Sequence, residues 1–198
     1  MCREKYVREG WMPFLEKFTG CHEKVSHAFI QGYDGEIGHI GNMQLTINEA
    51  TLREAMGLPD KGSKYFKGVG IKKEMCQQFL KEDHQHPDWK KGIPRNYIKE
   101  EYHPMLASLQ RFLTCEGRYV VTFIYHLRLL LHFEGGPEID FPYFLWMSLN
   151  KMVRGVKSLS KTEKTNIYHQ GLIKMLVIHE IRKQRISWKI LITQNLPT

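Results

Sequence analysis

The chain has few cysteines, and none of them is paired in sequence. Four cysteines occur in 198 residues, and no two of them stand in a CxxC arrangement. A disulfide-stabilised secreted fold and a structural zinc site both need cysteines at short, regular spacing. We therefore expect free thiols in a reducing compartment, which predicts an intracellular protein without distinguishing nucleus from cytoplasm.

The sequence also lacks a long hydrophobic run. Its most apolar stretch, residues 119–133, is 15 residues long and is interrupted by His126, Arg128 and His132. A membrane-spanning helix needs about 20 predominantly apolar residues, so this stretch is predicted to be a buried helix. The first residues are polar and no apolar segment follows them, so no secretory signal is expected.

Motifs that carry chemistry are absent from the sequence as well. The phosphate-binding patterns GxxxxGKS and GxxxxGKT, the dinucleotide pattern GxGxxG and the serine-nucleophile pattern GxSxG do not occur. Five aspartates are present, which disfavours a carboxylate triad for two-metal nuclease chemistry. The sequence therefore predicts no enzymatic activity, no cofactor and no metal site.

Acidic residues are scarce in the last quarter of the chain, where basic residues are common. This imbalance of charge is the most informative feature of the sequence. Residues 146–198 hold ten lysines and arginines against Glu163 and Glu180, whereas the other 145 residues hold 19 basic and 19 acidic side chains. The formal net charge of +8 therefore comes entirely from this segment. A neutral body with a basic end predicts an anionic partner, either nucleic acid or an acidic protein.

Eight basic residues in this segment are the predicted contacts for that partner. Phosphate contacts through such side chains are salt-sensitive and independent of base sequence. The eight residues are Lys151, Arg154, Lys157, Lys161, Arg182, Lys183, Arg185 and Lys189. The spacing of Arg182, Arg185 and Lys189 predicts that they share one helical face. The alternative interpretation of all eight is an ordinary solvated helix surface.

A further arginine, Arg128, lies within the apolar run, where a charge needs a partner or access to water. One interpretation is a buried ion pair with Glu49 or Glu101. The other is an arginine that lines a binding pocket. The sequence leaves both interpretations open.

Apolar periodicity and helix-capping signals predict a mainly α fold. A single globular helical domain is expected over residues 1–186, with residues 146–186 as its basic C-terminal helices and residues 187–198 as a short tail. One small β element is predicted near residues 43–47 and 65–66. Asn48 is a residue type that favours the N-cap of a helix, and Gly57 is one that often ends a helix. Together they predict a helix over residues 49–56.

The other segments are predicted from the same kinds of signal. Glycine at every third position between Gly32 and Gly41 favours a flexible loop. Further helices are predicted over residues 4–19, 22–31, 71–81, 104–115, 118–133, 141–156 and 165–184, and a strand-like tail over residues 188–192.

Several short motifs resemble those of a known group of proteins. They are Phe18-Thr19-Gly20, Asn48-Glu49-Ala50, Gly57-Leu58-Pro59 with Gly62, Tyr65-Phe66, Glu116-Gly117-Arg118-Tyr119, Tyr125-His126 with Leu129-Leu130, Phe141-Pro142-Tyr143-Phe144 and Ser148-Leu149-Asn150-Lys151. Together these motifs span most of residues 11–180. They resemble uncharacterised land-plant open reading frames that occur in multiple copies and are associated with mobile elements. The resemblance implies a plant origin and descent from a transposon or retroelement, and it implies no established activity.

From the residues and the resemblance together, we expect a non-enzymatic binding or interaction domain derived from a mobile element. Its basic C-terminal surface is expected to contact the anionic partner. Two alternatives stay open: a capsid-like domain that self-associates, and a decaying fragment with no activity of its own.

Overall fold

A computed structural model describes residues 2–17, 20, 22–58, 62, 64, 72–111, 120–158, 169–189 and 191, apart from the side chains of Cys2 and Ser158. Within these residues the fold is mainly α, which confirms the predicted class. Their strands form two small antiparallel sheets of two strands each. No helix in the described ranges is long and apolar enough to cross a membrane.

The helices and strands of the described ranges are numbered in chain order. The α-helices are α1 Cys2–Arg8, α2 Met12–Lys17, α3 Glu23–Gly32, α4 Glu49–Met56, α5 Lys73–Cys76, α6 His103–Leu109, α7 Ile124–Phe133, α8 Phe141–Ser158 and α9 Gln170–Gln184. The strands are β1 Ile37–Ile40, β2 Met43–Thr46, β3 Ile93–Pro94 and β4 Val121–Thr122. Single turns of 3-10 helix lie at Gln77–Phe79, Glu82–His84, Arg95–Tyr97 and Glu100–Tyr102.

The chain divides into two compact units. Unit 1 comprises Met1–Trp11 and Asp60–Phe141, and unit 2 comprises Met12–Pro59 and Pro142–Thr198. The basic C-terminal segment therefore belongs to unit 2. The single domain expected over residues 1–186 stays a prediction.

Unit 2 contains a β-hairpin where the sequence predicts a loop followed by one strand. β1 and β2 pair antiparallel, with Ile40 opposite Met43. The chain reverses at Gly41, whose φ of 57° lies in the left-handed region that glycine adopts readily. The flexible loop predicted over residues 32–41 is therefore wrong, because its second half is an extended and paired strand.

The glycine pattern in this segment serves close packing. A Cβ atom on Gly38 would lie 2.7 Å from a ring carbon of Phe29, so α3 and β1 approach each other more closely than any larger residue would allow. Phe29 is fully buried and its ring stacks on Tyr33 with a centroid separation of 5.1 Å. Gly38 is thus a contact position within the core of unit 2.

The two ends of α4 are those that the sequence predicts. The side-chain oxygen of Asn48 accepts a hydrogen bond from the backbone N–H of Thr51 at 2.9 Å. Gly57 has a left-handed φ of 68° and donates its N–H to the carbonyl of Arg53 at 2.9 Å. The helix predicted over residues 49–56 is confirmed, because its N-cap acceptor and its glycine stop are both encoded locally.

α9 supplies much of the buried surface of unit 2. It packs against α3, α4 and β2, and the side chains of Ile173 and Val177 are fully buried. The sequence places the start of this helix near residue 165, whereas the structure begins it at Gln170. Residues 159–168 lie outside the described part of the chain.

The strand-like tail predicted over residues 188–192 is wrong in its described part. Trp188 and Lys189 are helical, and the backbone N–H of Leu191 donates to the carbonyl of Ser187 at 3.1 Å. Leu191 is fully buried, so this turn is packed against the rest of unit 2. The other predicted β position, residues 65–66, lies outside the described residues.

Unit 1 is built around α7 and an aromatic cluster. α7 packs against α5 and α6, and Leu127 and Leu130 are fully buried. The ring of Trp11 meets Phe133 and Phe141 edge-on, with centroid separations of 5.1 and 4.1 Å. Edge-on aromatic contacts of this kind contribute about 0.5–1.5 kcal/mol beyond the burial of their area.

α7 begins later than the sequence predicts. The apolar run starts near residue 118, but Val121–Thr122 form β4 and pair with Ile93–Pro94 of β3. The helix then begins at Ile124, where the Nδ1 atom of His126 accepts a hydrogen bond from the backbone N–H of Phe123 at 3.0 Å. A pairing partner nearly thirty residues away in sequence therefore decides the start of this helix.

Two other predicted helices are shorter than expected. The helix predicted over residues 4–19 breaks at Gly10, which has a left-handed φ of 73° and separates α1 from α2. The helix predicted over residues 71–81 is reduced to α5 and the 3-10 turn that follows it. The helices predicted over residues 22–31 and 141–156 are found as α3 and α8.

Candidate anion-binding surface

α8 is amphipathic, and its polar side carries three of the predicted contact residues. Leu145 and Leu149 on its apolar side are buried. Lys151, Arg154 and Lys157 follow one another at three-residue spacing, and all three are exposed. Residues at this spacing turn by about 300° and rise by about 4.5 Å per step. The three cations therefore lie within about 120° of arc along one side of the helix.

Tyr33 fixes the rotation of α8 about its own axis. Its hydroxyl oxygen lies 2.8 Å from Oδ1 of Asn150 and 2.7 Å from the carbonyl oxygen of Gly35. Burial raises the pKa of Tyr33 to about 12, so the hydroxyl keeps its proton and donates at neutral pH. The ammonium of Lys157 donates to the backbone carbonyl of Tyr33. Asn150 and Lys157 are seven residues apart, so they lie on the same side of α8 and both contact Tyr33, whereas Lys151 is about 100° around the helix from Asn150 and is exposed.

Lys151 and Arg154 form no ion pair within the part of the chain that the structure describes. Carboxylates of unit 2 are engaged elsewhere: Glu49 contacts Arg53 at 2.6 Å, and Glu54 contacts His179 at 3.7 Å. Two exposed cations on one helix side are therefore open to an anion from outside the chain.

A second basic group lies at the C-terminal end of α9. Arg182 and Lys183 occupy its last turn, and Arg185 follows; all three are exposed. Arg185 has a left-handed φ of 56° and ends the helix, so the predicted shared helical face of Arg182, Arg185 and Lys189 is wrong. Cations in the last turn stabilise a helix by about 0.3–1 kcal/mol through its dipole, which gives this group a structural role of its own.

The two basic groups occupy different parts of unit 2. α9 begins beside Ser148 of α8, through the contact with His169, and extends for 15 residues. Its C-terminal end is therefore about 22 Å along the helix from that contact. Of the two remaining predicted contacts, Lys189 is exposed and Lys161 lies outside the described residues. The cations of α8 and those at the end of α9 thus lie on two different helices of unit 2.

The structure brings together two residues that the sequence does not connect. Oγ of Ser148 lies 2.8 Å from Nε2 of His169, across 21 positions of sequence. His169 is 2% exposed and has a left-handed φ of 60°. This backbone conformation costs a non-glycine residue on the order of 1 kcal/mol, so the surrounding packing must hold it in place.

The Ser148–His169 contact has the distance of a nucleophile and its base, but its environment suits a structural role. In a catalytic pair, a third group orients the imidazole through its second nitrogen. Nδ1 of His169 has no hydrogen-bond partner among the described residues. Burial also lowers the pKa of His169 to about 4, so the ring is neutral and weakly basic at pH 7. The pair therefore connects α8 to the start of α9.

Arg128 lies on α7 in unit 1 and is half-buried. Its Nε atom is buried and has no hydrogen-bond partner among the described residues, and no ion pair there joins it to Glu101 or Glu49. Burial raises the pKa of the Cys76 thiol to about 11, and the charge of Arg128 opposes that rise. The predicted ion pair is thus not formed within the described ranges, and a pocket at Arg128 stays a prediction.

Comparison with known proteins does not identify a family. No protein-family model, curated protein or solved structure matches the chain. The resemblance to land-plant reading frames associated with mobile elements therefore stays a prediction. Function is inferred below from the chain's own side chains.

Proposed function

We propose that this chain is a non-enzymatic nucleic-acid-binding protein and that the basic side of α8 contacts the phosphate backbone. The observation that carries the proposal is that Lys151 and Arg154 are exposed on one side of α8 and form no ion pair with a described carboxylate. Each neutralised phosphate releases condensed counterions, which favours binding and makes it depend on salt.

Two neighbouring cations on one helix fit a polyanion with regularly spaced charges. The phosphates of each strand recur about every 3.4 Å along the axis of a duplex, and Lys151 and Arg154 are about 4.5 Å apart along the axis of α8. Long, flexible lysine and arginine side chains reach over that difference. Because contacts to phosphates carry no sequence information, the binding is expected to be independent of base sequence.

The cations at the end of α9 support this function from a second position. Arg182, Lys183 and Arg185 add positive potential to the same unit, which attracts a polyanion before contact is made. The proposed origin from a plant mobile element rests on the sequence motifs alone.

The test is a binding titration with a fluorescently labelled random DNA duplex at low and at high salt. Wild-type protein should bind at low salt and release the duplex as salt rises. The double variant K151E/R154E should bind much more weakly. Since two phosphate contacts are lost, the slope of log affinity against log salt should fall by about two.

A matched control separates the α8 surface from net charge. Lys73 and Lys90 are exposed in unit 1, and K73E/K90E changes the net charge from +8 to +4, as K151E/R154E does. The control variant should retain most of the affinity. Equal losses in both double variants would show that charge alone is responsible, and absence of wild-type binding at low salt would contradict the proposal altogether.

A further inference from the structure

The basic side of α8 continues into an apolar part toward the start of the helix. Met147 is 48% exposed and lies one turn before Lys151 on the same side. Tyr143, one turn before Met147, is half-buried. Among the described residues of unit 2, Met147 is the one large hydrophobic side chain that is exposed. We call the row of Tyr143, Met147, Lys151 and Arg154 the α8 stripe.

The α8 stripe has an apolar half and a cationic half. It spans twelve residues, or about 16 Å of helix, which is the length of a few nucleotides at about 3.4 Å or more per nucleotide. The ring of Tyr143 is 5.9 Å from that of Trp146, so a second aromatic side chain supports it. The two halves therefore offer different chemistry to a single extended ligand.

A duplex and a single strand would use the α8 stripe differently. In a duplex the base faces are stacked inside, so an exposed apolar side chain beside the phosphates cannot pack against them. A single strand presents its base faces, which stack on aromatic side chains while cations contact the backbone. The polarizable thioether of methionine also makes favourable contacts with aromatic rings. An exposed Met147 next to Lys151 is thus complementary to a single strand.

We propose that the α8 stripe binds single-stranded nucleic acid in preference to duplex. Phosphates contact its cationic half, and bases pack against its apolar half. This inference rests on the proposed function, which assigns the cations to a nucleic acid. It adds the strandedness of the ligand and a contact role for Met147.

The test compares a labelled short oligothymidylate with a duplex of the same length at low salt. Wild-type protein should bind the single strand more tightly than the duplex. M147Q removes an apolar contact without changing charge, so its affinity for the single strand should fall by about twofold to tenfold, with duplex binding unchanged. M147L keeps the apolar contact and should bind the single strand nearly as well as wild type.

V7Q is the matched control for M147Q. Val7 is also an exposed apolar residue on a helix, 54% exposed, but it lies in unit 1. V7Q should bind both ligands as wild type does, and circular dichroism checks that each variant is folded. An M147Q variant that weakens both ligands equally, or neither, overturns the single-strand preference.

Two further outcomes distinguish this proposal from the proposed function. If K151E/R154E binds both ligands as well as wild type, the proposed function itself fails. If that variant loses both ligands while M147Q retains both, the proposed function stands and the single-strand preference falls.

A competition experiment tests whether the occupant is an acidic protein instead. Polyglutamate is added to the complex with labelled oligothymidylate. Displacement of the oligothymidylate at equal concentration would identify an acidic protein as the occupant and overturn the proposal.

Discussion

Acid should destabilise unit 2 through His169. Burial lowers the pKa of this imidazole from its ordinary value of 6.5 to about 4, and the residue is 2% exposed. Below pH 6.5 the unfolded chain therefore binds a proton that the folded chain does not accept until the pH approaches 4. Stability rises with pH wherever the unfolded state binds more protons. The contribution of His169 is thus complete above about pH 6.5 and is lost as the pH falls toward 4.

The two pKa values set the size of this effect. The linkage relation gives a loss of about 2 kcal/mol between about pH 7 and about pH 4.5. Typical domains have free energies of unfolding of about 5–15 kcal/mol, so this loss is measurable. His126 in unit 1 has a pKa lowered to about 3 by burial and acts in the same direction. The measurement must therefore report on unit 2 by itself.

Hydrogen exchange of the α9 amides provides that local measurement, because protection factors report the free energy of local opening. The informative variant is His169→Asn, since asparagine does not titrate in this range and tolerates left-handed backbone. Between about pH 7 and about pH 4.5, wild-type α9 should lose about 2 kcal/mol of protection relative to the variant.

Ser148→Ala is the control for this experiment. It removes the hydroxyl that contacts His169 but keeps the titrating ring. The variant should be less stable by about 1 kcal/mol at all pH values while retaining the dependence on pH. If His169→Asn and wild type lose the same free energy over the acid range, the reasoning from burial is refuted.

Substitutions at three positions test the packing and the capping described above. Gly155→Ala in α8 should raise the free energy of unfolding by about 0.5–1 kcal/mol, because a Cβ there meets no atom within 4 Å and alanine favours a helix. Gly38→Ala should lower it by about 1–3 kcal/mol through overpacking against Phe29; urea unfolding of both variants checks the opposite signs. Asn48→Ala should lower it by about 1 kcal/mol through loss of the cap of α4, whereas Asn48→Asp should not. Equal stability of the two Asn48 variants would contradict the assigned cap.

Local signals in the sequence were sufficient where an element depends on its own residues. α4 is the clearest example, since an N-cap acceptor at Asn48 and a glycine at Gly57 determine both of its ends. The hairpin was missed because its glycines satisfy a tertiary requirement. Gly38 must be small since Phe29 of α3 lies against it, and this contact cannot be inferred from the spacing of glycines alone.

In the candidate site, too, local signals in the sequence predict some features and tertiary contacts determine the others. Helical periodicity was enough to place Lys151 and Arg154 on the outer side of α8, opposite the buried leucines. The contact between Ser148 and His169 was not predictable, because it joins residues 21 positions apart and no motif links them. The exposure of Met147 was also missed, since methionine on a helix is more often buried.

The distribution of charge within unit 2 bears on whether Lys151 and Arg154 contribute to its stability. Met12–Pro59 holds three basic and six acidic residues, a balance of −3, whereas Pro142–Thr198 holds ten basic and two acidic residues, a balance of +8. If these charges served mainly to hold unit 2 together, the acids of the first part would pair with the cations of the second. Instead Glu49 pairs with Arg53 inside the first part, and Lys151 and Arg154 pair with no described carboxylate. Because Lys151 and Arg154 are exposed and pair with no described carboxylate, K151E/R154E should weaken the proposed binding without lowering the free energy of unfolding.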